Sequence, residues 1–238
     1  MILVTVTQLS WGFYLDSDKA MGTWARNQTA LILQHKFQIV GIALWIVPNA
    51  TDAQRLENIM NTGQLDNRTN STQSQRSYPR FHPHITLATL PLSAENNLTD
   101  IEASIATSLK EPLTVKFSSV EIGSHYFRSV YIAIEPTSEI MDLHERIHEV
   151  LHAIPRTPSF PHLSLCYIDD KDAAIGEREA FYKILKDGGK IRTGGGLDCG
   201  LVEEDWMDCF EANEIWVVKC EGPVNEWAIL RKLLVTSA

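Results

Sequence analysis

The chain has 238 residues, room for one large domain or two small ones, and its 44% hydrophobic and 21% charged residues are an ordinary globular balance. A formal net charge of −9 without any Lys/Arg run excludes a long nucleic-acid partner, which needs a basic face, whereas a small phosphorylated ligand needs only a local positive spot. No run of ~20 apolar residues occurs, so no membrane span is expected. The start lacks a basic region and soon meets Trp11, Asp16 and Asp18, so it does not read as a secretory leader and a cytoplasmic protein is expected.

Residues 1–38 mix apolar pieces with Asp16, Asp18, Lys19 and Arg26, and are set apart as an N-terminal extension of unassigned role. The remainder, 39–238, reads as one domain. Ile42 to Val47 is a buried strand closed by Pro48-Asn49. Thr51 caps a helix to Met60. Residues 61–80 carry almost no apolar content and read as a mobile surface loop. A strand from His84 to Leu90 follows, then a helix from Ser93 to Leu109. Strands Leu113 to Ile122 and Ser129 to Ile134 flank a turn at Gly123 to Phe127. Ser138 to His152 is an amphipathic helix with Ile140, Leu143, Ile147, Val150 and Leu151 inward. A strand at His162 to Ile168, a helix at Asp172 to Lys186 and a Gly-rich connector at Gly188 to Gly200 come next. Glu214 to Cys220 and Trp227 to Val235 close the chain as a hairpin, the last segment being a strand or a short helix. This order is α+β with mainly antiparallel sheet. The four cysteines form no C-x-x-C pair and are read as reduced and buried.

Two of these strands open on one pattern. Pro83-His84-Ile85-Thr86-Leu87 and Pro161-His162-Leu163-Ser164-Leu165 each place a histidine and a hydroxyl at i and i+2, around an aliphatic residue. On a strand, i and i+2 share a face and i+1 takes the other. Each copy therefore presents an imidazole and a hydroxyl on one side and sends Ile85 or Leu163 into the core. The repeat suggests two lobes related by a pseudo-two-fold axis, with a groove between them. Two histidines can serve as base and acid near neutral pH. Two hydroxyls can donate to phosphoryl oxygens. That set suits hydrolysis of a cyclic phosphodiester and calls for no metal and no cofactor. His144-Glu145-Arg146-Ile147-His148 spells H-E-x-x-H, the zinc-protease spacing. It has no third ligand at a protease spacing, and its histidines, with His152, border the helix's core face, so an exposed helix edge is expected there.

The paired H-x-[ST] motifs resemble the signature of the two-histidine (2H) phosphoesterase superfamily. The stretches Gly41 to Pro48, Phe81 to Leu87, Phe127 to Tyr131 and Phe160 to Tyr167 resemble its fungal and plant cyclic phosphodiesterase branch. The resemblance covers about residues 40 to 235. It implies a bilobal α+β fold, with His84 and His162 as catalytic residues and Thr86 and Ser164 as phosphate ligands. Tyr167 is a further phosphate contact, provided that its strand ends or bulges there. Trp45 and Phe127 are aromatic candidates for stacking a base. The implied substrates are ADP-ribose 1″,2″-cyclic phosphate left from tRNA splicing and nucleoside 2′,3′-cyclic phosphates, acted on by a monomer. A non-catalytic nucleotide or RNA-end binding module is the alternative. Plant relatives suggest one or two disulfides, and some relatives suggest a place at the Golgi surface.

Overall fold

The computed structural model describes residues 40–62, 73–109, 111–155 and 160–235. The extension at 1–38 and residues 63–72 of the polar loop lie outside them. In chain order come β1 (Gly41–Val47), α1 (Ala50–Met60), β2 (Ile85–Leu90), a 3-10 stretch Leu92–Asn97 running into α2 (Leu98–Ser108), β3 (Leu113–His125) and β4 (Arg128–Ile134). Then follow α3 (Ser138–Val150), β5 (His162–Cys166), a single turn α4 (Asp170–Ala173), α5 (Glu177–Asp187), β6 (Leu197–Asp198), β7 (Trp206–Met207), β8 (Cys209–Ala212), β9 (Glu214–Cys220) and β10 (Ala228–Leu234).

Among the described residues, one eight-stranded sheet runs β10-β9-β1-β2-β5-β4-β3-β8. Every pairing in it is antiparallel. Cut between β2 and β5, it divides into two four-stranded halves with the motif strands innermost. The two lobes expected from the repeat are thus halves of one curled sheet, joined at a seam where Ile85↔Leu163 is the paired position.

Alternation decides which face is which. Ile42, Leu44 and Ile46 of β1, Ile85 and Leu87 of β2, and Leu163 and Leu165 of β5 are buried on one face. That face is covered by Leu56 and Ile59 of α1, Ile101 and Ile105 of α2, Ile140, Leu143 and Ile147 of α3, and Phe181 and Leu185 of α5. Burying Ile85 and Leu163 is worth about 1.5–3 kcal/mol each. On the other face Ala43, Trp45, Val47, Trp216, Val218 and Cys220 form a small cluster with Trp227 against it, and among the described residues no helix residue belongs to it.

Several boundaries move from the sequence expectation. Asn49, not Thr51, caps α1, because its side chain accepts the Asp52 N–H at 3.0 Å. The helix expected from Asp172 breaks at Gly176, whose φ of +90° suits glycine, and resumes at Glu177. Helix α3 stops at Val150, which points outward. The Gly-rich connector carries β6, paired with β7, and the C-terminal segment is strand β10. The described end of the polar loop is pinned rather than mobile. The Ser74 N–H and the Ser77 hydroxyl donate to buried Asp172, and the Tyr78 hydroxyl donates to Glu177. All four cysteines are free thiols, so the disulfides suggested by plant relatives are not formed, and Cys209 is exposed rather than buried.

Candidate active site

The seam register places the motif side chains. Counting outward from Ile85↔Leu163 in an antiparallel pair sets His84 opposite Ser164 and Thr86 opposite His162. All four lie on the face opposite the described helices, because Ile85 and Leu163, at 0% exposure, take the core face. The two imidazoles are therefore diagonal neighbours, with β-carbons on the order of 7 Å apart, a span that fits a phosphate.

His84 sits just ahead of β2 at 6% exposure. Its ring lies flat on Trp45, centroids 3.7 Å apart and planes 10° apart, with the edge of Phe81 at 6.0 Å. Nδ1 is 2.6 Å from the His82 carbonyl. A carbonyl only accepts, so Nδ1 carries the proton and Nε2 the lone pair. Burial pushes the ring's pKa down to about 3 against the pull of that carbonyl, and the neighbouring His82 and His162 push the same way. At neutral pH His84 is an uncharged ring. His162 opens β5, half-buried, and meets the ring of Tyr131 at 5.5 Å and 74°. The Tyr131 hydroxyl donates to Glu121 at 2.6 Å and the Ser119 hydroxyl to the other carboxylate oxygen at 2.8 Å. Those two bonds, with Arg128 nearby, hold the Glu121 carboxyl below its ordinary range.

The two hydroxyls are not alike. Thr86 is half-buried and pairs across the ladder with Trp45. Ser164 is 5% exposed and donates its one proton to the Phe127 carbonyl at 2.7 Å. Thr86 can offer a proton to a ligand with its partners in place. Ser164 must first give up Phe127.

The family model described as Cyclic phosphodiesterase-like protein matches residues 40–235, a span that contains both motifs. The chain belongs to this family, within the 2H phosphoesterases. A cyclic phosphodiesterase of Arabidopsis thaliana is 25% identical over 127 residues, which is 53% of this chain and 65% of that protein, just under two thirds of its length. A 2′,3′-cyclic-nucleotide 3′-phosphodiesterase of Yarrowia lipolytica is 26% identical, covering 63% of this chain and 82% of that one. Among solved structures, E. coli LigT complexed with 3′-AMP is 12% identical, with a TM-score of 0.47 over 83% of this chain and 98% of that chain.

In this cyclic phosphodiesterase-like chain the aromatic residues surround the imidazoles. Strand β5 ends at Cys166, and the β4–β5 ladder slips beside it, between Val130 and Tyr131. Tyr167 thereby leaves the strand alternation. It stacks on Phe81 at 4.0 Å and meets Phe127 edge-on at 5.3 Å, at 3% exposure, and burial raises its phenol pKa well above the ordinary value. Phe127 sits in the β3–β4 turn, with its ring 5.8 Å from Trp227. Trp45 is 4% exposed with one face covered by His84, so it backs an imidazole rather than offering that face to a base. Trp227 touches Trp45 of one half and Phe127 of the other, spanning the seam.

Sequence reasoning missed Tyr131, Trp227 and the pair His82–Trp216. The His82 ring lies on Trp216 at 4.3 Å, with Nδ1 3.5 Å from Glu57, and Lys232 Nζ lies 3.9 Å over the same indole. Burial, and then Lys232, pushes His82 down to about 4. The histidine doublet around Pro83 was the available signal. Also unforeseen is the fastening of the Phe127 turn. Fully buried Ser129 donates to the Tyr126 carbonyl at 2.9 Å and accepts from the Ile168 N–H at 2.9 Å and from Arg178 Nε at 3.3 Å.

The H-E-x-x-H helix departs from expectation in another way. His148 is 5% exposed rather than at a wet edge, and its Nδ1–H donates to the His144 carbonyl at 2.7 Å. The His144 ring stacks on Phe160. Among the described residues no group of three or more His, Cys, Asp or Glu could hold a metal ion. Glu145 is exposed, as expected.

Proposed function

We propose that this protein hydrolyses a cyclic phosphodiester on ribose to a phosphomonoester, with His84 as the base and His162 as the acid. The observation that carries the proposal is the seam register, which sets each motif histidine beside the other motif's hydroxyl. Family membership and the names of the Arabidopsis and Yarrowia relatives support the same reaction class.

Water attacks phosphorus from the side of His84, and Nε2 takes its proton. On the opposite side the bond from phosphorus to the leaving ribose oxygen breaks, and His162 gives that oxygen a proton. In-line displacement needs base and acid on opposite sides of phosphorus, and the diagonal arrangement of the two imidazoles supports that reading. A monoanionic phosphate between the rings raises both imidazole pKa values, so His84, held low in the free protein, becomes a better base when substrate binds. Thr86 donates to a non-bridging oxygen, and Ser164 joins it once it releases the Phe127 carbonyl. Tyr167 and Phe127 wall the groove. Proton transfer by two imidazoles needs no metal ion. The substrates put forward are nucleoside 2′,3′-cyclic phosphates opened to the 2′-phosphate and ADP-ribose 1″,2″-cyclic phosphate opened to the 1″-phosphate, the latter a by-product of tRNA splicing.

The test is turnover of a 2′,3′-cyclic nucleotide, with and without EDTA, by the full chain and by His84→Ala and His162→Ala. EDTA-resistant formation of the 2′-phosphate, lost in both variants, is expected. Turnover that survives in either variant, or binding without turnover by the unaltered chain, refutes the assignment.

A further inference from the structure

Trp45 and Tyr131 hold equivalent places in the two halves of the sheet. Each lies on the strand flanking a motif strand, β1 beside β2 and β4 beside β5. Each is paired across the ladder with that motif's hydroxyl, Trp45 with Thr86 and Tyr131 with Ser164. Each packs its ring on that motif's imidazole. A unit of aromatic ring, hydroxyl and imidazole is thus built twice, though the H-x-[ST] pattern names only two of its three members.

The two units differ in how ring meets ring. The Trp45 indole lies flat on His84, 3.7 Å and 10° away, and its own neighbours are the indoles of Trp216 and Trp227. That surface keeps water off the imidazole face and favours the uncharged ring. Tyr131 stands at 74° to His162, and its hydroxyl is tied to the Glu121 carboxylate, so an anion lies one hydrogen bond behind it and favours the imidazolium. Ionisable groups near His84 are His82, with Glu57 against it, Lys232 and Glu214 about Trp216, and His162 across the seam. Among the described residues, those near His162 include His84 and Tyr131, with Glu121 and Arg128 around that phenol.

We propose that Trp45 and Tyr131 are matched positioning residues, one for each imidazole, and that the flat indole under His84 and the upright, Glu121-bound phenol beside His162 divide the pair into base and acid. This rests on the phosphodiesterase function proposed above, but it is tested in the protein without substrate.

The experiment follows the histidine Cε1–H resonances of the full chain by NMR from pH 2 to 9, with the two rings assigned through His84→Ala and His162→Ala. Trp45→Leu is expected to raise the His84 midpoint by about one pH unit or more and to leave His162 within about 0.2. Tyr131→Leu is expected to lower the His162 midpoint by about half a unit or more and to leave His84 in place. Trp45→Phe keeps a ring under the imidazole and should restore most of the low value; if the Leu form fails to fold, a smaller rise confined to His84 in the Phe form carries the test. In kcat/KM against pH, the Trp45 change moves the acidic limb upward and the Tyr131 change moves the alkaline limb downward. Rings that move together in every variant, or not at all, overturn the proposal. Ring shifts as expected in a chain that shows no turnover sustain the paired braces and sink the activity instead.

Discussion

Acid should loosen this protein through His84, and a glutamine there should blunt the effect. In the unfolded chain the imidazole takes up its proton near pH 6.5. In the fold, burial keeps the ring uncharged down to about 3. Between those values the unfolded state binds the extra proton, so stability is present above pH 6.5 and is lost as pH falls. For one proton the limiting slope is about 1.4 kcal/mol per pH unit. From pH 6.5 to 4.5 that integrates to about 2 kcal/mol, since the midpoint region at the upper end contributes less than the full slope. His82, pushed down to about 4, adds loss in the same direction in both proteins. Urea unfolding at pH 6.5, 5.5 and 4.5 should therefore show the unaltered chain losing about 2 kcal/mol more than His84→Gln. With a denaturant slope of about 2–3 kcal/mol/M, the midpoint gap changes by somewhat under 1 M. Stability curves that fall in parallel for the two proteins would refute a buried, uncharged His84.

Removing the hub under the Phe127 turn should cost more than a surface change. Ser129→Ala strands the Ile168 N–H and takes an acceptor from Arg178, for a loss of about 3 kcal/mol and a Tm lower by about 6–12 °C in calorimetry. Gly123→Ala would bring a Cβ 2.0 Å from the Arg128 carbonyl oxygen and 3.3 Å from the Tyr131 ring, so chemical denaturation should show about 1–3 kcal/mol of destabilisation, and kcat should fall with it. Thr86→Val keeps the shape and should cut kcat about 10²–10³-fold with Tm unmoved. Ser164→Ala should also lower stability, by about 1–2 kcal/mol, because it leaves the Phe127 carbonyl without its donor.

The motif strands were legible because period-two alternation ties three side chains to two faces. Once His84 and Thr86 share a side, Ile85 has only the core to go to, and the same holds around Leu163. The helix faces of α1, α2 and α3 follow from their apolar spacing in the same way. What pattern could not supply was anything that depends on one strand's offset from another. By sequence Trp45 is one of two aromatic candidates for stacking a base, and only its ladder position puts it under His84. Tyr131 looked like an ordinary strand residue until its pairing with Ser164 brought it beside His162. Tyr167 escaped its alternation only because β5 ends early beside a slip in the ladder. Neither the engagement of the Ser164 hydroxyl by a turn carbonyl 37 residues away nor the burial of His148 leaves a trace in local sequence.

The seam between the halves is fastened by main-chain pairing at Ile85 and Leu163. The gauge of the cleft is thus set less by the ladder than by the aliphatic layer underneath, where both residues meet the helices. A methylene added or trimmed in that layer would tilt one half against the other and respace the two imidazoles by fractions of an ångström. Substitutions there would alter the cleft through residues that lie on the opposite face of the sheet.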